Sequence, residues 1–167
     1  MQVPHGVRFF TIMKTLVLGL GNTILGDDGV GICTVREMRR VWPGDPDVEL
    51  VEASLGGMVL LDLIAGYDRL IIIDAIMTTD DRPVGFVYDL TLDDLGEIIV
   101  PYASHALDLK TTVELGKRLG YKMPATAAIH AIKIEENTIF REELTPPVAA
   151  VVPVLARRII AELALPA

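Results

Sequence analysis

The chain of 167 residues has few of the features that mark secreted, membrane-bound or nucleic-acid-binding proteins. Its only cysteine is Cys33, so no intramolecular disulfide can form and nothing indicates an oxidising compartment. There are 15 Lys or Arg residues against 23 Asp or Glu, and the net charge of -8 opposes binding to nucleic acid or to an anionic membrane surface. Gly, Asp or Arg interrupts every apolar run before it reaches the length of a membrane span. We therefore expect a cytoplasmic protein that has neither nucleic acid nor a membrane as its partner.

The first twelve residues, MQVPHGVRFFTI, lack the apolar core and the small-residue cleavage site of a signal peptide. We interpret residues 1–12 as a disordered tail or an upstream extension, with Met13 as the expected true start. The remaining residues, 13–167, are interpreted as one domain, because no repeat or low-complexity linker divides them. A hydrophobic content of 51% is enough for a core of that size.

Short apolar runs alternate with longer segments of helical period, which is typical of an α/β domain with a largely parallel sheet. The run at residues 69–76 is too uniformly apolar to face water and is expected at the sheet centre. Residues 82–90, RPVGFVYDL, alternate large and small side chains after a proline, which favours an antiparallel edge strand. Further strands are predicted at residues 14–19, 48–53 and 126–134. The pattern predicts a three-layer α/β/α sandwich, with a mostly parallel twisted sheet of about five strands and one antiparallel edge strand.

Four segments have the periodicity of helices, at residues 28–41, 56–66, 107–119 and from Thr145 to near the end of the chain. The first is expected to bury Ile32, Val35, Met38 and Trp42. The last has Pro146 in its first turn, which is a favoured arrangement. Pro153 falls inside its apolar stripe and is expected to bend or break it.

Two acidic residues lie at the end of a predicted strand or in the loop after one, at what should be the same edge of the sheet. Asp28 lies in the loop GLGNTILGDDGVG, after the first strand, and Asp74 lies at the carboxyl end of the third. If the strand order begins 2-1-3, the two carboxylates face each other where connections leave for opposite faces, and open α/β sheets bind ligands there. Like charges at close range raise each other's pKa unless a cation lies between them. The pair therefore predicts a metal ion.

His105, in PYASHALDL, follows an irregular segment and precedes a predicted helix, so we expect it to reach the same edge. Two carboxylates and one imidazole leave coordination positions open, as catalytic and substrate-accepting sites do and closed structural sites do not. Asp28, Asp74 and His105 are therefore the candidate metal ligands.

Five motifs carry a resemblance to a known family: LVLGLGNTILGDDGVG, GGMVLLDLI, LIIIDAI, SHALDL and LTPPVAAVVP. They occur in the order found in the hydrogenase maturation endopeptidases, and the chain resembles that family from Met13 onward. The resemblance implies removal of a C-terminal extension from the large-subunit precursor of a nickel-iron hydrogenase after nickel insertion. It also implies that Asp28, Asp74 and His105 are its catalytic, metal-contacting positions, the first of which is Glu in some members. The nickel arrives inside the substrate, so we expect no other cofactor and a metal-free protein on purification.

The leading hypothesis is thus a metal-assisted endopeptidase, since no combination of Ser, Cys and His offers a convincing nucleophile and base. The nickel would polarise the scissile carbonyl or lower the pKa of a bound water, or it would only position the substrate. A second hypothesis keeps the site without the chemistry, as a nickel-dependent docking or checkpoint protein. A third is a peptidyl-tRNA hydrolase, which the opening GLGN resembles, although the histidine of that family near the first helix is absent. A dinucleotide-binding module lacks its third spaced glycine.

Several polar or small residues have a simpler structural interpretation. Asp27 is expected to cap a helix, and the glycines of residues 19–31 to let the first helix pack closely on the sheet. His130, inside an apolar strand, is expected to be a hydrogen-bonded core imidazole. Cys33 is expected to act as a small buried hydrophobe. Residues 89–97, DLTLDDLGE, are interpreted as a solvated acidic loop.

Overall fold

The structure is a computed structural model that describes residues 13–54, 58–94, 104–135 and 140–164, with the backbone alone at residue 58 and residues 104–108. The described residues form a five-stranded sheet and its covering helices. The strands are β1 (Thr15–Leu20), β2 (Val48–Ala53), β3 (Arg69–Ile76), β4 (Val87–Thr91) and β5 (Thr126–Lys133). The helices are α1 (Val30–Val41), α2 (Met58–Ile64), α3 (Ser104–Arg118) and α4 (Pro146–Leu163). A single 3-10 turn, Gly26–Gly29, precedes α1 and is called the acidic turn here because it carries two aspartates.

The strand order is β2-β1-β3-β5-β4, with β3 in the centre of the sheet. The pairs β1–β2, β1–β3 and β3–β5 are parallel, and β4 pairs antiparallel with β5 at the edge. This arrangement confirms the predicted 2-1-3 order, the central position of residues 69–76 and the antiparallel edge strand. The apolar run in β3 is almost fully buried, as a central strand covered on both faces requires.

Alternate residues of each strand point to opposite faces, so the strands supply two separate cores. Leu16, Leu18 and Ile72 pack with residues of α2 and α3, whereas Val17, Ile71 and Ile73 pack with residues of α1 and α4. The two cores confirm the three-layer α/β/α sandwich. In the described part of the chain, no helix is both long enough and apolar enough to cross a membrane.

Three expectations about the first and last helices differ from the structure. The first helix begins at Val30 and not at residue 28, because the acidic turn precedes it, and Trp42 lies just beyond it in extended backbone, half-buried. The expected break at Pro153 is wrong, since α4 continues through it to Leu163. Buried residues of α4 lie both before and after Pro153, so packing on the sheet offsets the one hydrogen bond that proline cannot donate.

Candidate functional site

The candidate site lies where β1 and β3 separate at the carboxyl edge of the sheet. The two strands pair only as far as Gly19 and Ile73, and Asp74 is the next residue of β3. The helix after β1 packs on one face of the sheet, and α2 and α3 cover the other face. This is the topological switch point at which open α/β sheets bind ligands.

Asp74 is buried, with 7% of its surface exposed, on a strand whose neighbouring residues are all apolar. Burial, which disfavours the charged form, raises the pKa of its carboxyl from 3.8 to about 7. The negative charge of Asp28 raises the pKa of Asp74 further, while a hydrogen bond from the Ala75 N–H to Oδ1, at 2.9 Å, acts in the opposite direction. The two acids that the sequence singled out therefore lie close enough for one charge to act on the other.

Asp28 sits in the acidic turn, and its side chain closes the loop that leaves β1. The backbone N–H of Asn22 donates a hydrogen bond of 2.8 Å to Asp28 Oδ2. Gly21, one residue earlier, has a φ of 131°, and a Cβ there would collide with the carbonyl oxygen of Asp28. Glycine at this position is what allows the chain to turn sharply enough to return Asp28 to the sheet edge.

Two further glycines set the distance between α1 and the sheet. A Cβ on Gly31 would collide with the carbonyl oxygens of Ile73 and Leu20, and a Cβ on Gly19 with the carbonyl oxygen of Gly31. The first turn of α1 is thus in direct backbone contact with the fork between β1 and β3. This confirms the close-packing interpretation of the glycines, and the same contact brings the acidic turn to Asp74.

Asp27 does not cap the helix that follows it, since Gly29 holds the N-cap position of α1. The residue is buried, with 3% of its surface exposed, and its carboxylate accepts two hydrogen bonds from Thr145. The Thr145 N–H donates to Oδ1 at 2.6 Å, and the Thr145 hydroxyl donates to Oδ2 at 2.7 Å. Because Thr145 is the N-cap residue of α4, Asp27 ties the acidic turn to the start of the last helix.

His105 is the second residue of α3, so the expectation that it precedes the helix is wrong by one turn. Helix α3 follows the edge strand β4 and leads into β5. The face it covers is the face that carries Asp74. The side chain of His105 lies outside the described residues, and among those that are described no group of three His, Cys, Asp or Glu residues could hold a metal ion. The three-ligand set therefore stays a prediction.

His130 is a buried member of a polar cluster on the opposite face of the sheet, between β5 and α4. Its Nδ1 lies 2.7 Å from Asp89 Oδ1, and Arg158 also contacts both Asp89 and His130. Glu162 Oε2 lies 3.7 Å from His130 Nε2. The cluster joins the edge strand β4 to α4, which confirms His130 as a hydrogen-bonded core imidazole.

Sequence reasoning missed a buried positive charge, Lys133, at the end of β5. Its ammonium group pairs with Asp80 Oδ1 at 2.8 Å and also contacts the Asp80 carbonyl oxygen, and it holds the pKa of the Asp80 carboxyl well below its usual range. The Tyr88 hydroxyl donates to the other carboxylate oxygen at 2.6 Å. These bonds fasten the segment after β3 to the sheet. A lysine that ends an otherwise apolar strand was the available signal.

Cys33 is half-buried, and burial raises the pKa of its thiol. A raised thiol pKa disfavours the thiolate at neutral pH, so the residue is not an activated nucleophile. The expectation of a small buried hydrophobe is only partly met, because the side chain is half-buried.

Comparison with known proteins gives a consistent result. A family model described as hydrogenase maturation protease (HycI) matches residues 32–162, a stretch that contains Asp74 and His105 and begins after Asp28. The Hydrogenase 2 maturation protease of Escherichia coli (strain K12) is 37% identical over 71 residues, which are 42% of this chain and 43% of that protein. The match thus spans less than half of the length of that relative.

Solved structures match over a larger part of the chain. The hydrogenase maturating endopeptidase HybD from E. coli superposes with a TM-score of 0.75 and 28% identity, covering 90% of this chain and 92% of that one. The [NiFe] hydrogenase maturation protease HybD from Thermococcus kodakarensis superposes with a TM-score of 0.67 and 25% identity, covering 92% and 100%. On the family match over most of its length, the chain belongs to the hydrogenase maturation protease family.

Proposed function

We propose that the protein is a metal-dependent endopeptidase that removes the C-terminal extension from the large-subunit precursor of a nickel-iron hydrogenase after nickel insertion. The observation that carries this proposal is the buried carboxyl of Asp74, held at the sheet's switch point within the field of Asp28. Family membership and the names of the relatives support the peptidase activity and the class of substrate.

The arrangement of the two acids supports recognition of a cation carried by the substrate. Two neighbouring carboxyl groups at the edge of the sheet are unfavourable when both are ionised, and a divalent cation between them removes that cost. A precursor that brings nickel would therefore bind better than a precursor that lacks it. In this way the metal would report that insertion is complete before the extension is cut.

We assign the metal contacts to Asp28, Asp74 and His105. Three protein ligands leave the remaining nickel positions to the precursor's own ligands and to water or the scissile carbonyl. Nickel held by these residues would polarise that carbonyl or lower the pKa of a bound water. A nearby carboxylate would accept the proton released from such a water.

The test is incubation of the purified protein with the large-subunit precursor, with and without inserted nickel, followed by intact mass measurement. The expected result is loss of the C-terminal extension from the nickel-loaded precursor only. Substitution of Asp28, Asp74 or His105 by Ala should abolish the loss. Asp68→Ala is the matched control, because Asp68 accepts hydrogen bonds at the opposite, amino edge of the sheet.

Two results would contradict the proposal. Retained cleavage by the Asp74→Ala protein would reject the assignment of the site. Nickel-dependent binding of the precursor without any change in its mass would reject the protease and support a docking or checkpoint protein.

A further inference from the structure

The side chain of Thr145 bonds to Asp27 and does not cap its own helix. Thr145 stands at the N-cap of α4 in extended backbone, where a threonine hydroxyl commonly accepts a hydrogen bond from the first turn of its own helix. Here the hydroxyl makes no such bond and donates instead to Asp27 Oδ2. The cap residue of α4 is thus turned towards the acidic turn.

The carboxylate of Asp27 is almost fully buried, and both of its bonds to Thr145 come from neutral donors. Bonds to an ionised carboxylate are shorter and stronger than neutral ones, and two oxygens bonded to one residue fix both direction and distance. The contact therefore holds two segments 118 positions apart in the chain in one relative orientation.

A second set of bonds joins the same two segments. The Gly26 N–H donates to the carbonyl oxygen of Arg141 at 2.6 Å, and the Arg141 N–H donates to the carbonyl oxygen of Ile24 at 3.0 Å. The acidic turn is therefore held by the chain that leads into α4 on one side and by the bond from Asn22 to Asp28 on the other.

We propose that Asp27 is a positioning residue for the protease: through Thr145 it fixes the acidic turn, and with it the carboxylate of Asp28 relative to Asp74. Asp74 needs no such help, because it lies within the central strand, whereas Asp28 lies in a turn between strand and helix. The inference rests on the proposed function, since positioning has value only if Asp28 acts on the substrate.

The variants follow from the two bonds. Asp27→Ala removes both acceptor oxygens, whereas Asp27→Asn keeps one of them for the Thr145 N–H. Thr145→Val removes only the bond from the hydroxyl, and Thr145→Ser keeps both bonds. Asp68→Ala is the control, because Asp68 also joins two segments through both oxygens, to the Lys14 N–H and the Lys122 ammonium group, but at the amino edge.

The measurement is kcat/KM for processing of the nickel-loaded precursor, at a temperature at which circular dichroism shows every variant to be folded. We expect kcat/KM to fall about tenfold or more for Asp27→Ala and by less for Thr145→Val. The reason is that displacement of a reacting group by about 1 Å lowers the rate up to about a hundredfold. Asp27→Asn and Thr145→Ser should recover most of the rate. Thr145→Val should have little further effect when Asp27 is already Ala, because the bond is already lost.

The outcomes separate the two proposals. The loss of rate could simply follow the loss of thermal stability, in which case Asp68→Ala would be as slow as Asp27→Ala at equal melting temperature. That result would mean that Asp27 only stabilises the fold, and the inference would be wrong. If Asp27→Ala and Thr145→Val both process at the wild-type rate while Asp28→Ala is inactive, the inference fails and the proposed function stands. If Asp28→Ala and Asp74→Ala also keep the wild-type rate, the proposed site itself is wrong.

Discussion

Asp74 is the residue at which stability and function are most directly opposed. Its carboxyl is buried in an apolar strand and lies in the field of a second acid, and both effects raise its pKa. A neutral side chain of the same shape would suit the fold better at neutral pH. The packing of β3 gives no reason for an acid at this position, whereas the proposed site does.

The first prediction concerns the pH dependence of stability. Because the folded-state pKa of Asp74, about 7, lies above the ordinary value of 3.8, the folded protein binds more protons than the unfolded chain between these pH values. This contribution to the free energy of unfolding is fully present below about pH 4 and is lost as the pH rises to about 7. Relative to wild type, Asp74→Asn should therefore gain stability over this range, on the order of 1 kcal/mol per unit of pKa shift.

Urea unfolding of both proteins at a series of pH values tests this prediction. Asp68→Asn provides the control. Hydrogen bonds from Lys122 and from the Lys14 N–H lower the pKa of Asp68 from 3.8, so its contribution is constant above that pH and is lost only as the pH falls below it. Parallel curves for wild type and Asp74→Asn from pH 4 to 8 would show that the Asp74 carboxyl titrates alike in the folded and unfolded chain.

At the scale of elements, the junction of β1 and α1 determines where the acids can meet. Gly19 and Gly31 let the helix contact the backbone of the sheet, and Gly21 lets the chain turn back. The spacing of these glycines differs from that of a phosphate-binding fingerprint. Their role is backbone contact within the fold. The loop therefore brings the partly exposed carboxylate of Asp28 to the sheet edge, while Asp27 is buried against Thr145.

The second prediction is that Gly31→Ala destabilises the protein far more than Gly44→Ala. The methyl group at residue 31 would collide with two carbonyl oxygens in rigid strands, so α1 must move away from the sheet, at a cost of about 3 kcal/mol or more. Gly44 has a φ of 90° but nothing within 4 Å of the added carbon, so only the backbone penalty of about 1 kcal/mol applies.

Chemical denaturation of the two variants measures the difference, and precursor processing measures its consequence for the site. Gly31→Ala should also lose activity at temperatures at which it remains folded, because the acidic turn moves with α1. Equal stabilities for the two variants would mean that the fork between β1 and β3 accommodates a side chain.

At the scale of the whole molecule, the sequence predicted the sheet and its order because apolar periodicity reports burial directly. Residues 69–76 are buried on both faces and were correctly placed in the centre. The start of α3 was missed because its apolar spacing begins at residue 107, whereas Ser104 and His105 add nothing to the pattern. The contacts of Asp27 with Thr145 and of Lys133 with Asp80 were missed because they join distant segments, which local patterns do not encode.

The last prediction links the site to global stability. If Asp28, Asp74 and His105 bind nickel, free Ni²⁺ should raise the melting temperature of the protein, because a ligand that binds only the folded state stabilises it. Protons compete with the metal for Asp74, whose pKa is about 7, so the increase should be larger at pH 8 than at pH 6.

Asp74→Asn keeps the shape of the side chain and removes its charge, so it should lose most of the increase at both pH values, whereas Asp68→Asn should keep it. An equal increase in wild type and Asp74→Asn would place the bound nickel elsewhere on the protein, and the same measurement after addition of a chelator shows whether the increase is reversible.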